Sequence, residues 1–181
     1  QNEESVDLLK SIGLNNSTLS GDTRFDRVIN TAATVTKFEW IQKLSNYKIM
    51  IAGSTWETDH IILAKAANEL EKLNWIIVPH HVDAASIKAC RSHFTNAICL
   101  SEWLTQSNAM EKPVVLIIDQ IGLLSQLYQY AAIAYTGGGF TKDGIHNVLE
   151  AAVFGKPVIW GPNDLKYQEA IGLRNAGGGI Q

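Results

Sequence analysis

A glycine triplet followed by a polar loop carries the clearest chemical signal in the sequence. Gly137, Gly138 and Gly139 follow an apolar run, and His146 and Asn147 stand where a helix is expected to open. Glycine lets a backbone approach a ligand closely because it has no Cβ atom. The helix N-terminus would offer unpaired N–H groups and the positive end of its dipole. The sequence therefore predicts a site for a nucleotide phosphate.

Glu150 is the candidate partner for the sugar part of such a nucleotide. It stands about one turn into the expected helix, within the apolar run 148–153. A carboxylate there can accept hydrogen bonds from a neutral hydroxyl pair such as that of a ribose. Structural roles remain open, since the glycines can form only a tight turn, Asn147 can cap the helix and Glu150 can be a solvated helix carboxylate.

Other chemically suggestive residues also follow apolar runs. Ser54 follows one such run, and Pro79 and His80 end another. Ligands of parallel sheets bind beyond the carboxyl ends of the strands, so we expect these residues beside the glycine triplet. His80 and His81 would point to opposite faces if they lay on a strand, so no metal site is expected there.

Short apolar segments alternate with helical patterns along most of the chain. This alternation predicts an α/β fold with a Rossmann-like parallel sheet and helices on both faces. Strands are expected at 47–52, 75–78, 97–100, 114–118, 133–135 and 157–160, and helices at 37–44, 59–73, 84–94 and 123–131.

Composition narrows the possible function classes. The chain has 181 residues, and its net charge of −3 gives no basic footprint for nucleic acid. No apolar run approaches the roughly 20 residues of a transmembrane helix. Two cysteines, Cys90 and Cys99, lack metal-ligand spacing and favour buried thiols in a reducing compartment.

Several motifs together resemble a known family. The glycine triplet, His146-Asn147, Glu150 and a Gly-x-Pro-Val-x-x-Gly-Pro stretch at 155–162 resemble the donor-binding C-terminal half of GT-B glycosyltransferases. The resemblance is greatest to the 3-deoxy-D-manno-octulosonic acid (Kdo) transferases of lipopolysaccharide synthesis. Segments 20–26, 52–57, 78–81 and 119–124 agree with this family in the same order, so the resemblance covers residues from about 20 to 181.

The resemblance implies an inverting transferase that moves Kdo from CMP-Kdo to a lipid A precursor. The CMP phosphate would lie against the glycine triplet and the helix opening at His146, with Glu150 on the ribose. The carboxylate of the sugar would face the loops at Ser54 and His80. CMP-Kdo is then the donor substrate, and neither a metal nor another cofactor is implied. The family usually carries Arg-His where this chain has His80-His81, and an imidazole is a poorer anion partner than a guanidinium.

The resemblance also implies a domain division. Residues 1–20 would be a remnant of an N-terminal acceptor domain, with a helix at 3–12, a strand at 17–20 and a linker near 21–26. Residues 21–181 would form the donor-binding domain, truncated at its C-terminal end. The catalytic base would belong to the N-terminal domain, so no catalytic residue is assigned here. Contact with the membrane surface, at the cytoplasmic face of the bacterial inner membrane, would also belong to that domain.

Two other functions remain open from the sequence. The chain can belong to another GT-B nucleotide-sugar enzyme, such as a UDP-sugar transferase or a UDP-N-acetylglucosamine 2-epimerase. It can also be a non-catalytic nucleotide-binding module or a purely structural α/β module. The nucleotide that binds distinguishes these three functions.

Overall fold

Seven parallel strands form a single sheet in the computed structural model, which describes residues 3–44, 46–106 and 114–181. The order across the sheet is β3-β4-β2-β1-β5-β6-β7. The strands are β1 (Lys48–Thr55), β2 (Leu73–Pro79), β3 (Ile98–Cys99), β4 (Val115–Ile117), β5 (Ile133–Thr136), β6 (Val158–Trp160) and β7 (Gly179–Ile180).

Helices separate these strands and precede the first of them. They are α1 (Glu3–Ser11), α2 (Thr23–Ala33), α3 (Glu57–Glu69), α4 (Ala84–His93), α5 (Leu100–Trp103), α6 (Leu124–Leu127), α7 (Leu149–Ala152) and α8 (Gln168–Asn175), with 3-10 turns at Glu39–Lys43 and Tyr128–Tyr130.

Side chains that alternate along each strand build a core on both faces of the sheet. Met50 and Ala52 of β1 pack with Leu63 of α3 and Cys90 of α4 on one face. Ile51 faces the opposite side, where the core continues with Leu127, Val148 and Ala170 of the later helices and loops. Since both faces are covered, the strands are almost continuously apolar, as the sequence pattern predicted.

The predicted α/β fold with helices on both faces is confirmed, and the expected strands are found within a few residues of their predicted positions. The predicted strand at 17–20 is wrong, because those residues form no ladder. Helix α2 begins at Thr23, inside the predicted linker, and the Asp22 carboxylate caps it by accepting from Arg24 N. The helix expected to open near His146 begins at Leu149 instead.

The order of strands places the candidate loops together. Chain order reverses between β1 and β5, which are adjacent, so the loops after these strands diverge from a common crevice. Such a switch point is the usual ligand site of an open parallel sheet. Ser54 lies at the end of β1 and the glycine triplet follows β5.

Close backbone contact across this crevice explains two of the glycines. A Cβ atom on Gly137 would lie 2.4 Å from the Ser54 carbonyl oxygen, and one on Gly139 would lie 2.6 Å from Gly161 Cα. Gly138 has a φ angle of +90°, which disfavours side chains. The triplet is therefore required by contacts within the protein, whether or not a ligand approaches it.

A fully buried carboxylate also holds the crevice together. Asp59, at the start of α3, is 0 % exposed. Its Oδ2 accepts hydrogen bonds from Trp56 N at 2.8 Å and Gly138 N at 3.0 Å, and its Oδ1 accepts one from Tyr135 Oη at 2.6 Å. One side chain thus joins the loop after β1, the strand β5 and the glycine triplet.

We predict that Gly137→Ala lowers the free energy of unfolding by about 1–3 kcal/mol, because its Cβ atom forces the β1 and β5 loops apart. Gly172→Ala is the matched control, since no atom lies within 4 Å of its Cβ position on α8. That change should be neutral or stabilise by about 0.5–1 kcal/mol. Urea denaturation measures both, and equal effects would contradict the packing argument.

Asp59→Ala should destabilise more strongly, because three donors lose their acceptor and each buried unsatisfied group costs about 1–3 kcal/mol. Asp59→Asn should cost less, since the amide can still accept the N–H bonds. Asp83→Ala removes an exposed carboxylate that caps α4 and should cost only about 1 kcal/mol. Urea denaturation showing no larger loss for Asp59→Ala than for Asp83→Ala would refute the linking role of Asp59.

Candidate functional site

A cavity of about 390 Å³ lies beside the switch point. This volume suits a small ligand. Three residues singled out from the sequence, Ser54, Asn147 and Glu150, meet in its lining although they come from two distant segments, the end of β1 and the start of α7. The other lining residues are Arg24, Arg27, Val28, Thr31, Gly122, Leu124, Ser125, Val153 and Phe154.

Ser54 occupies an unusual backbone conformation at the mouth of this cavity. Its φ angle is 52°, in the left-handed region, and the register of β1 against β2 shifts between Gly53 and Thr55. Such strained positions on non-glycine residues cluster at functional sites. The irregular end of β1 therefore favours a functional role for Ser54.

Glu150 and Asn147 form one polar wall of the cavity. The Asn147 side-chain oxygen accepts a hydrogen bond at 3.0 Å from the backbone N of Leu149, the first residue of α7. Burial raises the pKa of the Glu150 carboxyl, while the positive charge of Arg27 and a hydrogen bond from Asn147 oppose that rise. A half-buried carboxylate held in this way is suited to accept hydrogen bonds from hydroxyl groups.

Four aromatic side chains form a cluster at the same edge of the sheet. This Trp–His cluster consists of Trp56, His80, His81 and His146. Trp56 and His80 stack with ring centroids 4.4 Å apart, His80 and His146 stack at 4.7 Å, and Trp56 Nε1 donates to His146 Nε2 at 3.0 Å. Trp56 thus links the loops after β1, β2 and β5.

Two histidines of the cluster, His80 and His146, have lowered pKa values. Burial, then the nearby His80, lowers the pKa of His146, and burial, then His81, lowers that of His80. The argument that His80 and His81 diverge was wrong, because β2 ends at Pro79 and both rings contact Trp56. Neutral rings can hydrogen-bond a ligand but supply no positive charge to an anion.

Most amide groups of the glycine triplet are already used. Gly137 N donates to Gly53 O at 2.9 Å and Gly138 N donates to Asp59. Within the described ranges, the amide of Gly139 has no acceptor. None of the three glycines lines the cavity, and neither do Pro79, His80 or His146. They lie at the same edge of the sheet but outside its lining.

Helix α2 contributes residues that the sequence analysis missed. Arg24, Arg27, Val28 and Thr31 all line the cavity from one face of this helix. The capping carboxylate Asp22 and the spacing of Phe25, Val28 and Ile29 would have indicated the helix. They were missed because segment 21–26 was interpreted as a linker.

Loop 119–124 reaches the site in part. Gly122 and Leu124 line the cavity. Asp119 does not, because its carboxylate accepts from the backbone and hydroxyl of Ser101 at the start of α5.

A larger cavity, of about 770 Å³, opens between α2 and α8. Its lining is mainly apolar, with Phe25, Ile29 and Leu173 among its members, and it contains none of the residues predicted for the site. By volume alone this cavity would be the first candidate for a ligand site. The polar side chains predicted for the site converge in the smaller cavity, which is therefore the better candidate.

No group of three or more histidine, cysteine, aspartate or glutamate side chains in the described part of the chain is arranged to hold a metal ion. Among the helices of the same residues, none has the length and apolar character needed to cross a bilayer.

Comparison with known proteins places this fold and site in context. The chain matches a 3-deoxy-D-manno-octulosonic acid transferase of Aquifex aeolicus with 35% identity over 131 residues, which is 66% of this chain and 35% of that protein. It matches one of Rickettsia bellii with 28% identity over 174 residues, covering 90% of this chain and 40% of that protein. The chain thus spans well under half the length of these curated relatives. No family model matches the chain.

A solved structure shares the fold. The crystal structure of the C-terminal CMP-Kdo binding domain of WaaA from Acinetobacter baumannii superposes with a TM-score of 0.61 and 23% identity, over 86% of this chain and 83% of that one. The match confirms the fold expected for the C-terminal half of a GT-B enzyme. By sequence, this chain is a homologue of the Kdo transferases.

Proposed function

We propose that this chain is the donor-binding part of a glycosyltransferase that moves Kdo from CMP-Kdo to a lipid A precursor in lipopolysaccharide synthesis. The observation that carries the proposal is the convergence of Ser54, Asn147 and Glu150 in one cavity at the switch point of the sheet. Homology to Kdo transferases supports it.

Each part of the donor has a candidate partner. In the proposed complex the ribose hydroxyls donate to Glu150. The phosphate lies toward the glycine triplet, where the Gly139 amide has no acceptor among the described residues, and toward His146 and the start of α7. The sugar and its carboxylate face Ser54 and His80. The proposal includes no metal and no cofactor besides this donor substrate.

Transfer of the sugar requires two contributions. The departing phosphate must be stabilised by hydrogen-bond donors and dipoles that are already oriented toward it. A general base must take the proton of the acceptor hydroxyl. In this proposal the present chain supplies the donors and dipoles that stabilise the departing phosphate. The base, the lipid A precursor site and the contact with the cytoplasmic face of the inner membrane belong to another part of the enzyme.

A nucleotide panel tests the proposal directly. Calorimetry and thermal shift with CMP, UMP, UDP and AMP should show binding of CMP alone, both with EDTA and with added magnesium. At a ligand concentration about 100 times the dissociation constant, binding stabilises the fold by roughly 2.7 kcal/mol. Preference for UDP would support another GT-B enzyme, and a lack of any binding would support a module without nucleotide function. Abolition by EDTA would refute the metal-free site.

Glu150→Gln should weaken CMP binding by about 1.5–3 kcal/mol, because a charge-assisted hydrogen bond to the ribose is lost. Since the pKa of Glu150 is raised, CMP affinity of the unaltered protein should fall as the pH decreases, at pH values above those where an ordinary glutamate titrates. The variant should lose this part of the pH dependence. Calorimetry across that pH range provides the measurement, and an unchanged affinity in folded Glu150→Gln would exclude the ribose role.

The chain as given should bind donor but transfer no sugar. All residues predicted for the site lie at one edge of one sheet, and the part of the chain that the structure describes offers no second domain to close over that edge and exclude water. Incubation with CMP-Kdo and a lipid A precursor, followed by CMP release and product mass, measures transfer. Turnover well above the uncatalysed rate would place the base within these residues.

A further inference from the structure

The proposed donor carries two anionic groups, a phosphate and a sugar carboxylate. None of the predicted site residues is a lysine or an arginine that would give either group a positively charged partner. In the Trp–His cluster, burial lowers the pKa values of His80 and His146. The amides of Gly137 and Gly138 already donate within the protein. A positively charged side chain for either anionic group is found instead on a different element.

Helix α2 brings two arginines to the cavity, and they differ in what they already bind. The Arg24 guanidinium donates to both Glu169 oxygens, at 2.6 and 3.1 Å, and also to both oxygens of Asp22. It therefore faces two carboxylates, one of them almost fully buried on α8. Its role is to fasten α2 to α8, and its charge is already compensated.

Arg27 has no hydrogen-bonded or ion-paired partner of this kind, although its charge acts on the Glu150 carboxyl. Among the residues that the structure describes, no carboxylate lies within ion-pairing distance of its guanidinium, and no side chain or carbonyl accepts a hydrogen bond from it. Its side chain is exposed to solvent and lines the cavity that Glu150 also lines. Arg27 therefore keeps the planar set of donors with which arginine binds phosphate or carboxylate in a bidentate manner.

The cavity is thus lined by polar groups of two kinds. Glu150 and Asn147 suit neutral hydroxyl groups, and Arg27, whose positive charge acts on Glu150, suits an oxyanion. A ligand that combines a hydroxyl pair with a neighbouring anionic group can use both kinds. A nucleoside alone can use only the first.

We propose that Arg27 binds an oxyanion of the nucleotide-sugar donor in this cavity and so discriminates nucleotides from nucleosides. The inference rests on the proposed function, because it assumes that this cavity holds the donor. Two groups of the donor share the required chemistry, the phosphate and the sugar carboxylate, and the experiment separates them.

The test compares Arg27→Gln, Arg27→Lys and a matched control. Arg91→Gln is the control, because Arg91 lies on α4 and pairs with the exposed Glu102 outside the cavity. Calorimetry measures affinity for cytidine, CMP and CMP-Kdo at low and high salt, and thermal denaturation verifies folding. Arg27→Gln should bind cytidine like the unaltered protein.

If the phosphate is bound, Arg27→Gln should lose about tenfold or more in CMP affinity, since a charge-assisted bidentate contact is removed. If the sugar carboxylate is bound, CMP affinity should stay constant while CMP-Kdo affinity falls. Either loss of affinity should be accompanied by a weaker dependence of the remaining affinity on salt concentration. Arg27→Lys should recover part of the lost affinity.

Two outcomes would overturn the inference, and only the second would also overturn the proposed function. If the unaltered protein binds both ligands and Arg27→Gln weakens neither more than Arg91→Gln does, Arg27 has no role and the proposed function stands. If the unaltered protein binds neither CMP nor CMP-Kdo, the proposed function and this inference both fail.

Discussion

The arrangement of the crevice depends on one buried carboxylate. Asp59 is fully enclosed and accepts hydrogen bonds from the loop after β1, from the tyrosine on β5 and from the glycine triplet. A buried charge is tolerated only when such donors replace its hydration. The three donors come from segments up to 79 residues distant, so the loops at the switch point can only take up their geometry together. Ser54 and the loop of Asn147 are therefore held in place without a ligand.

The close packing of the loops around Asp59 gives the glycine triplet a structural role. Glycines after a strand suggest close approach of a phosphate, yet Gly137 and Gly139 meet other parts of the backbone, where a Cβ atom would lie 2.4 and 2.6 Å from its nearest neighbour. The triplet is a tight joint between β1, β5 and the loop around Gly161. A site can still form beside it, because the joint brings the residues at 147–150 against the end of β1.

The sequence predicted the parts of this molecule that depend on local pattern. Short motifs were enough to predict the apolar strands, the glycine turn after β5 and the helices on both faces. They were also enough to show the resemblance to Kdo transferases. Asp59, Trp56 and Arg27 were not recognised, because their importance arises from contacts between distant segments. Asp59 looks like an ordinary first-turn acid of a helix, and nothing local indicates that Tyr135 and Gly138 will reach it. The positions of Ser54, Asn147 and Glu150 were predictable from the rule for parallel sheets, but their shared cavity depends on α2.

The same carboxylate restricts where a bound anion can lie. Gly138 N donates to Asp59 at 3.0 Å, so an oxyanion sharing that amide would lie within a few ångströms of the negative charge. Two like charges 4 Å apart repel by about 4 kcal/mol at an effective dielectric constant of 20. No cationic side chain is hydrogen-bonded to Asp59 among the described residues to offset this repulsion. This repulsion disfavours an anion that shares the Gly138 amide, and it favours donors that are not bound to Asp59, such as the Gly139 amide or Arg27. The buried charge that builds the crevice thus also restricts which donors an anion can use.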